Sequence, residues 1–170
     1  MPCTIAQLNV LNQADFTRLI GPVFEHSPWI AAATWSKRPF ASVAALHGAL
    51  CRTVREAGGE KQLALIRAHP DLAGRDALAG TLGRESASEQ AGAGLNRPSA
   101  EEMEVFQRSN AAYREKFGFP FVICARLNRK DAILQGFEQR LKNGRDEEIR
   151  TALEEIFKIA ELRLQDLTHD

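Results

Sequence analysis

The pattern of hydrophobic and polar positions is helical along almost the whole chain and alternates like a strand almost nowhere. The segment "SVAALHGALCRTVREAGG", for example, has apolar residues at helical spacing and closes on two glycines, a typical helix end. Helices are predicted within residues 13–26, 28–37, 42–59, 60–69, 86–96, 99–116, 129–142 and 146–167. The pattern therefore predicts an all-α protein, an orthogonal bundle of about seven to nine helices.

Two stretches between these helices lack the helical pattern. Residues 71–84 contain glycines and are predicted to form a loop. In "FGFPFVICA", residues 117–125, Pro120 disfavours a helical conformation at Phe119, so the backbone is predicted to be extended. Residues 122–124 could pair as one short strand or run as a buried linker. A single strand makes no sheet, so the all-α prediction is unchanged.

Composition narrows the class of protein and its partners. With 170 residues, 44% of them hydrophobic and 26% charged, the chain is long enough to bury a core as a single domain, residues 1–170. Lys and Arg total 22 and Asp and Glu total 22, so the chain has no basic surplus, and a nucleic-acid partner is not expected.

Cysteine usage and the absence of targeting signals predict the location. The three cysteines include no C-x-x-C pair, which argues against a disulfide framework or a zinc site and fits a reducing compartment. The chain shows no signal-peptide pattern and no run of about 18 apolar residues, so we expect a cytoplasmic protein without a membrane span.

The stretch "RAHPDLAG", residues 67–74, ends a helix on a histidine. A residue before proline is pushed out of the α region, so the helix is predicted to end at or just before His69. Carbonyl groups at a helix C-terminus favour the protonated imidazole, and a histidine pKa of about 6.5 suits proton transfer near neutral pH. Two interpretations stay open: His69 caps the helix, or it carries a proton in catalysis.

The stretch "ESASEQAGAG" offers a second candidate site in Ser86, Glu89 and Gln90. Ser86 and Glu89 have the spacing of a capping box, which would explain both residues structurally. The same helix start would also favour an anionic ligand, because its amide groups are free and its dipole is positive there. The local sequence does not choose between these interpretations.

Arg163 is the third candidate, because it borders the apolar stripe of the last helix and lies between Ile156 and Ile159 on the helical wheel. An arginine in this position either extends its charged group to water or meets an anion, since burial without a partner costs several kcal/mol. A carboxylate or ureido group is the more specific alternative.

The remaining local signals are weaker. In "FEHSPW", Ser27 is predicted to cap the helix that starts at Pro28, and His26 is predicted to pack in the interior. The four histidines show no metal-ligand spacing, and the chain has no G-x-S-x-G, P-loop or dinucleotide motif.

Taken in order, "FEHSPWIA", "RPF", "LALIRAHPDLAG", "ESASEQAGAGL", "YREKFGFPFVI" and "IAELRLQDL" resemble the 2-oxo-4-hydroxy-4-carboxy-5-ureidoimidazoline (OHCU) decarboxylase family of urate degradation. The resemblance extends from about Leu19 to Leu167. It implies an all-α, dimeric carboxy-lyase that needs neither metal nor organic cofactor. It also implies a small-molecule substrate, the unstable urate-derived acid, which is converted to (S)-allantoin with loss of carbon dioxide.

The resemblance also implies roles for individual residues. His69 corresponds to the catalytic histidine of the family, and Glu89 is expected to assist it in catalysis. The implied substrate-binding residues are Pro70, Ser86, Gln90, Phe119, Phe121, Val122, Ile123 and Arg163. Two alternatives remain: a related decarboxylase of another ureido or imidazoline acid, and a helical interaction module without enzymatic activity.

Overall fold

A computed structural model describes all of residues 1–170. It contains ten α-helices: α1 Ile5–Val10, α2 Gln13–Ile20, α3 Trp29–Thr34, α4 Val43–Glu56, α5 Gly59–Ala68, α6 Arg75–Ala79, α7 Arg84–Gly92, α8 Ala100–Phe117, α9 Lys130–Arg140 and α10 Arg145–Leu167. Three short 3-10 helices cover Gly21–Val23, Trp35–Lys37 and Ala125–Leu127. The all-α prediction is confirmed.

Four short elements were not predicted, two helices and two strands. Helices α1 and α6 have six and five residues, so neither completes the two turns that a periodic pattern needs to be seen. Strands β1, Cys3–Thr4, and β2, Thr168–His169, pair in parallel near the two ends of the chain. Of the two alternatives for residues 122–124, the structure has the linker, because no strand forms there.

Two long helices begin directly after a serine whose side chain caps the first turn. The side chain of Ser42 accepts a hydrogen bond from the Ala45 amide at the start of α4, and that of Ser99 does the same for Glu102 in α8. Each serine directly precedes a long helix, and the hydrogen bond to an amide three residues later marks where that helix begins.

The predictions for Ser27 and His26 are wrong. The Ser27 hydroxyl donates to the Glu25 carbonyl at 2.8 Å instead of capping α3, which begins at Trp29. His26 is exposed with φ of 45°, a left-handed conformation that a short polar turn residue adopts more readily than a core residue. The conformation of the turn between α2 and α3 therefore determines where both side chains lie.

Contacts divide the chain into two compact units. Unit 1 comprises residues 1–68 and 157–170, and unit 2 comprises residues 69–156. In unit 1, Phe16 stacks on Phe40 with ring centroids 6.2 Å apart, and a ring nitrogen of His47 bonds to the Phe157 carbonyl at 2.8 Å. The core of this unit is built from α2, α3 and α4, whose apolar faces include Ile20, Ile30 and Leu50.

Unit 2 is organised around the ring of Tyr113, the only tyrosine in the chain. This ring contacts the rings of Phe117, Phe119, Phe121 and Phe137 at centroid distances of 4.6 to 6.5 Å. Such edge and tilted contacts suit aromatic pairs, because the positive ring edge meets the negative face. The cluster anchors the extended stretch 119–124 to α8 and α9.

No helix in the structure has the length and apolar character to cross a membrane.

Candidate active site

Helix α5 ends inside the stretch "RAHPDLAG", where the sequence predicts. Its last residue is Ala68, and His69 is the next residue of the chain. His69 is buried, with 6% of its surface exposed. The loop that follows has one left-handed residue, Ala73, with φ of 48°. A non-glycine residue holds that conformation at a cost, so neighbouring groups must determine it.

Gln90 of α7 supplies the first of those groups. Its Oε1 accepts a hydrogen bond from the Ala73 amide at 3.0 Å, and its Nε2 donates to the Asp71 carbonyl at 3.4 Å. Gln90 is 4% exposed, so its bond to the Ala73 amide is sheltered from water, and its bond to the Asp71 carbonyl is partly buried. One amide therefore ties α7 to the loop that begins at His69.

Helix α8 holds the same loop. Nδ2 of Asn110 donates to the Leu72 carbonyl at 2.9 Å, and Nε of Arg114 lies 2.9 Å from Oδ1 of Asp71. Sequence reasoning missed Asn110 and Arg114, since nothing in the helical pattern of α8 marks them as partners of a loop about forty residues earlier. Contacts from two helices thus define the backbone beside His69.

The capping-box interpretation of Ser86 and Glu89 is wrong. Helix α7 begins at Arg84 with Gly83 at its N-cap, so Ser86 is the third helical residue and cannot serve as the cap. Ser86, Glu89 and Gln90 are three and four residues apart and therefore share one face of α7. Ser86 is 5% exposed, so a hydroxyl is buried on the face that holds the loop.

The same helix contacts the stretch that follows the extended segment. Helix α7 packs on the 3-10 helix Ala125–Leu127. Burial raises the pKa of the Cys124 thiol, and the negative charges of Glu155 and Glu89 contribute to the increase. Glu89 thus belongs to a helix that packs against the residues directly after Cys124.

The extended segment itself carries four of the predicted binding residues. Phe119 and Phe121 are fully buried, and their rings pack in the Tyr113 cluster. The Val122 carbonyl accepts a hydrogen bond from Arg140 at 2.6 Å. Ile123 is half-buried, the most accessible of the four. The segment thus has one side in the core and exposes part of itself at Ile123.

Arg163 belongs to unit 1, where it is 4% exposed. Its Nη2 lies 3.1 Å from Oε1 of Glu25, and its Nη1 donates to the Pro22 carbonyl at 3.3 Å. The charged group of Arg163 therefore does not extend to water. It meets an anion within the chain, the carboxylate of Glu25. Sequence reasoning missed Glu25 as the partner of Arg163, although it lies in the quoted "FEHSPW" motif.

A cavity of about 710 Å³ lies in unit 2. It is lined by α6 and α8 together with Asp71 and Gly74 of the loop, and none of the predicted site residues borders it. Its walls include the charged side chains of Arg75 and Arg114. The cavity therefore borders the loop that follows His69 without including the histidine.

Nine of the ten predicted site residues lie in unit 2. Gln90 connects the His69 loop to α7, and α7 in turn contacts the end of the extended segment. The fold and this arrangement define an all-α protein with a buried histidine, presented by a loop whose backbone is held by hydrogen bonds.

Comparisons with known proteins show the family to which the chain belongs. The family model described as OHCU decarboxylase matches residues 9–165. The 2-oxo-4-hydroxy-4-carboxy-5-ureidoimidazoline decarboxylase of Haloferax volcanii is 45% identical over 161 residues, which cover 95% of this chain and 94% of that protein. The protein of the same name from Mus musculus is 40% identical over 163 residues, covering 96% and 92%. The chain belongs to the OHCU decarboxylase family.

Solved structures share the fold. A crystal structure of (S)-allantoin synthase superimposes with a TM-score of 0.77 at 26% identity and covers 98% of this chain. This chain spans 54% of that longer one. A crystal structure of OHCU decarboxylase, determined in the presence of (S)-allantoin, has a TM-score of 0.66 at 24% identity and covers 82% of this chain.

Proposed function

We propose that the protein decarboxylates 2-oxo-4-hydroxy-4-carboxy-5-ureidoimidazoline to (S)-allantoin, the last step in the conversion of urate to allantoin. The observation that carries the proposal is the buried His69 at the start of a loop held by Gln90, in a chain that the family model covers over residues 9–165. A small-molecule substrate fits this class of enzyme.

The substrate supplies its own electron sink. When the bond between C4 and the carboxylate breaks, carbon dioxide leaves and the electron pair forms a C4–C5 double bond, while the neighbouring C=N group takes a proton at nitrogen. The C4 hydroxyl then loses its proton as C5 gains one, which gives the ring carbonyl and the stereocentre of allantoin. The protein has to orient the substrate, exclude water and move protons. No organic cofactor or metal is required by this scheme.

His69 is the group that transfers a proton at the C4 hydroxyl or at C5. Proton delivery to one face of C5 requires an imidazole in a defined place, and the bonds of Gln90, Asn110 and Arg114 to the following loop support such a placement. Glu89 orients either this imidazole or the ureido group.

The other predicted residues bind the substrate. Arg163 holds its carboxylate, and Ser86 contacts a ring carbonyl or the ureido arm. Gln90 has its amide on the loop, and its oxygen retains a second lone pair for the substrate. Pro70 borders the histidine. Phe119, Phe121, Val122 and Ile123 form the wall, with the two rings anchoring it and the exposed part of Ile123 facing the ligand.

The working form of the protein is also part of the proposal. We propose one domain over residues 1–170, supported by a single family model that matches nearly the whole chain. We further propose a cytoplasmic homodimer, with no membrane association. The three free cysteines support a reducing compartment. Light scattering of the purified protein tests the dimer, and a monomer at all concentrations would contradict it.

A time course with freshly generated substrate tests the activity. The wild-type protein is expected to accelerate decarboxylation and to give (S)-allantoin, monitored by circular dichroism. His69→Asn is expected to lose the acceleration and keep the fold, whereas His169→Asn, the same change at an exposed position, is expected to remain active. Racemic product at the spontaneous rate from the wild type would favour an interaction module. Turnover of a different ureido acid alone would favour the related decarboxylase.

A further inference from the structure

The extended segment 119–124 is mostly buried, yet no strand pairs with its backbone. Buried backbone groups need hydrogen-bond partners, because water cannot reach them. Side chains from two helices take the place of the missing strand. Nη1 of Arg140 donates to the Val122 carbonyl at 2.6 Å, and Oε2 of Glu155 accepts from the Cys124 amide at 3.0 Å.

Arg140 is itself held in one orientation. It is 8% exposed, and its Nε donates at 2.7 Å to Oε1 of Glu148, a residue with no exposed surface. The other carboxylate oxygen of Glu148 accepts from Asn143 at 2.9 Å. A planar guanidinium presents its donors in a rigid fork, so fixing one edge on Glu148 also fixes the edge that reaches Val122.

The guanidinium also packs on an aromatic ring of the segment. The carbon at its centre lies 4.3 Å from the ring centroid of Phe121, which in turn stacks on Phe137 at 3.9 Å. The Arg140 side chain thus holds both the Val122 carbonyl and the Phe121 ring in position. A lysine would keep the charge, but its single ammonium group cannot serve Glu148 and Val122 in the same geometry.

We propose that Arg140 is a positioning residue for the decarboxylation, acting through the Val122 carbonyl and the Phe121 ring to place the substrate-facing wall. This inference rests on the proposed function. Arg140 does not contact the substrate. A shift of about 1 Å in a binding group can cost about a hundredfold in rate, so a wall held by one guanidinium is sensitive to its replacement.

The test compares Arg140→Lys with Tyr113→Phe in steady-state kinetics on freshly generated substrate. Tyr113 is the matched control, because its hydroxyl donates to the same Glu148 oxygen but makes no bond to the segment backbone. Both variants are expected to lower Tm. Arg140→Lys is expected to raise KM about tenfold or more, and Tyr113→Phe is expected to leave KM unchanged. KM does not depend on the fraction of folded enzyme, so loss of stability alone cannot produce this difference.

An unchanged KM in Arg140→Lys, or an equal rise in both variants, would overturn the inference. If Arg140→Lys does not fold, Glu155→Ala replaces it, because this half-buried residue holds the same segment at the Cys124 amide. A rise in KM then supports positioning by the segment bonds, and an unchanged KM contradicts it. A wild-type protein without decarboxylase activity would instead refute the proposed function, which separates the two failures.

Discussion

Arg163 and Glu25 form a buried ion pair, although 138 positions separate them in the chain. Nη2 of Arg163 lies 3.1 Å from Oε1 of Glu25, and the two side chains are 4% and 9% exposed. Removing both charges from water is costly, so such a pair is a weak source of stability. Its consequence is geometric: the guanidinium proposed to bind the substrate carboxylate is already held in place before substrate arrives.

Glu25→Ala is expected to destabilise the protein by about 3–5 kcal/mol, because it leaves the buried Arg163 charge without its carboxylate. Urea unfolding measures the loss. The control is Glu56→Ala, which breaks an exposed pair with Lys37 at 3.9 Å and is expected to cost less than about 1 kcal/mol. Equal losses in the two variants would contradict a special role for the buried pair.

Gln90→Ala is expected to loosen the loop that follows His69. The Ala73 amide loses its acceptor, at a cost of about 1–3 kcal/mol for a buried donor left without a partner. Hydrogen exchange at Ala73 is expected to become faster, and kcat/KM is expected to fall by about 10- to 100-fold. Gln135→Ala, at an exposed position of α9, serves as control. Unchanged exchange at Ala73 would show that the loop does not depend on Gln90.

Stability is expected to fall at alkaline pH because of Tyr113. Burial raises the pKa of this tyrosine well above its ordinary value of about 10, and its hydrogen bond to Glu148 adds to the increase. Above pH 10 the unfolded chain loses the phenolic proton while the folded chain keeps it, so the unfolded state binds fewer protons and stability falls as pH rises.

This prediction has a direct optical readout, because Tyr113 is the only tyrosine. Tyrosinate absorbance at 295 nm is expected to appear only as the protein unfolds. The decline in Tm above pH 10 is expected to be shallower in Tyr113→Phe. Tyrosinate absorbance that appears near pH 10 in the folded protein would contradict the prediction that folded Tyr113 keeps its proton.

Gly136→Ala is expected to stabilise the protein by up to about 1 kcal/mol, because glycine is a poor residue within a helix. A Cβ at this position of α9 would lie 3.4 Å from Cζ of Phe121 and 3.6 Å from Cδ1 of Ile123, which is ordinary contact. Gly48→Ala in α4 is the reference, since a Cβ there would meet only the flexible end of the Arg52 side chain, at 3.6 Å. Urea unfolding compares the stability of the two variants. A loss of stability only at Gly136 would indicate that Phe121 and Ile123 cannot move to accommodate the added methyl group.

Local chemistry determined the helices and several of their ends. Pro70 excludes His69 from the helix, and Ser42 and Ser99 satisfy the first amides of their helices, all within a few residues of sequence. The order of motifs from "FEHSPW" to "IAELRLQDL" was sufficient to indicate the family, which the comparisons confirmed. The short helices α1 and α6 were missed because they are too short for a periodic pattern.

The partner of each polar side chain depends on how the helices pack, which no local pattern shows. Ser86 has the spacing of a cap, yet α7 begins two residues earlier and buries it. Arg163 is satisfied by Glu25, and Val122 by Arg140, through contacts between distant positions of the chain. The helix ends at Ser42, His69 and Ser99 follow from sterics and hydrogen bonds between near neighbours, so a few residues of sequence are enough to explain them. The bonds that hold the histidine loop and the extended segment depend on how helices pack, and no local pattern encodes that choice.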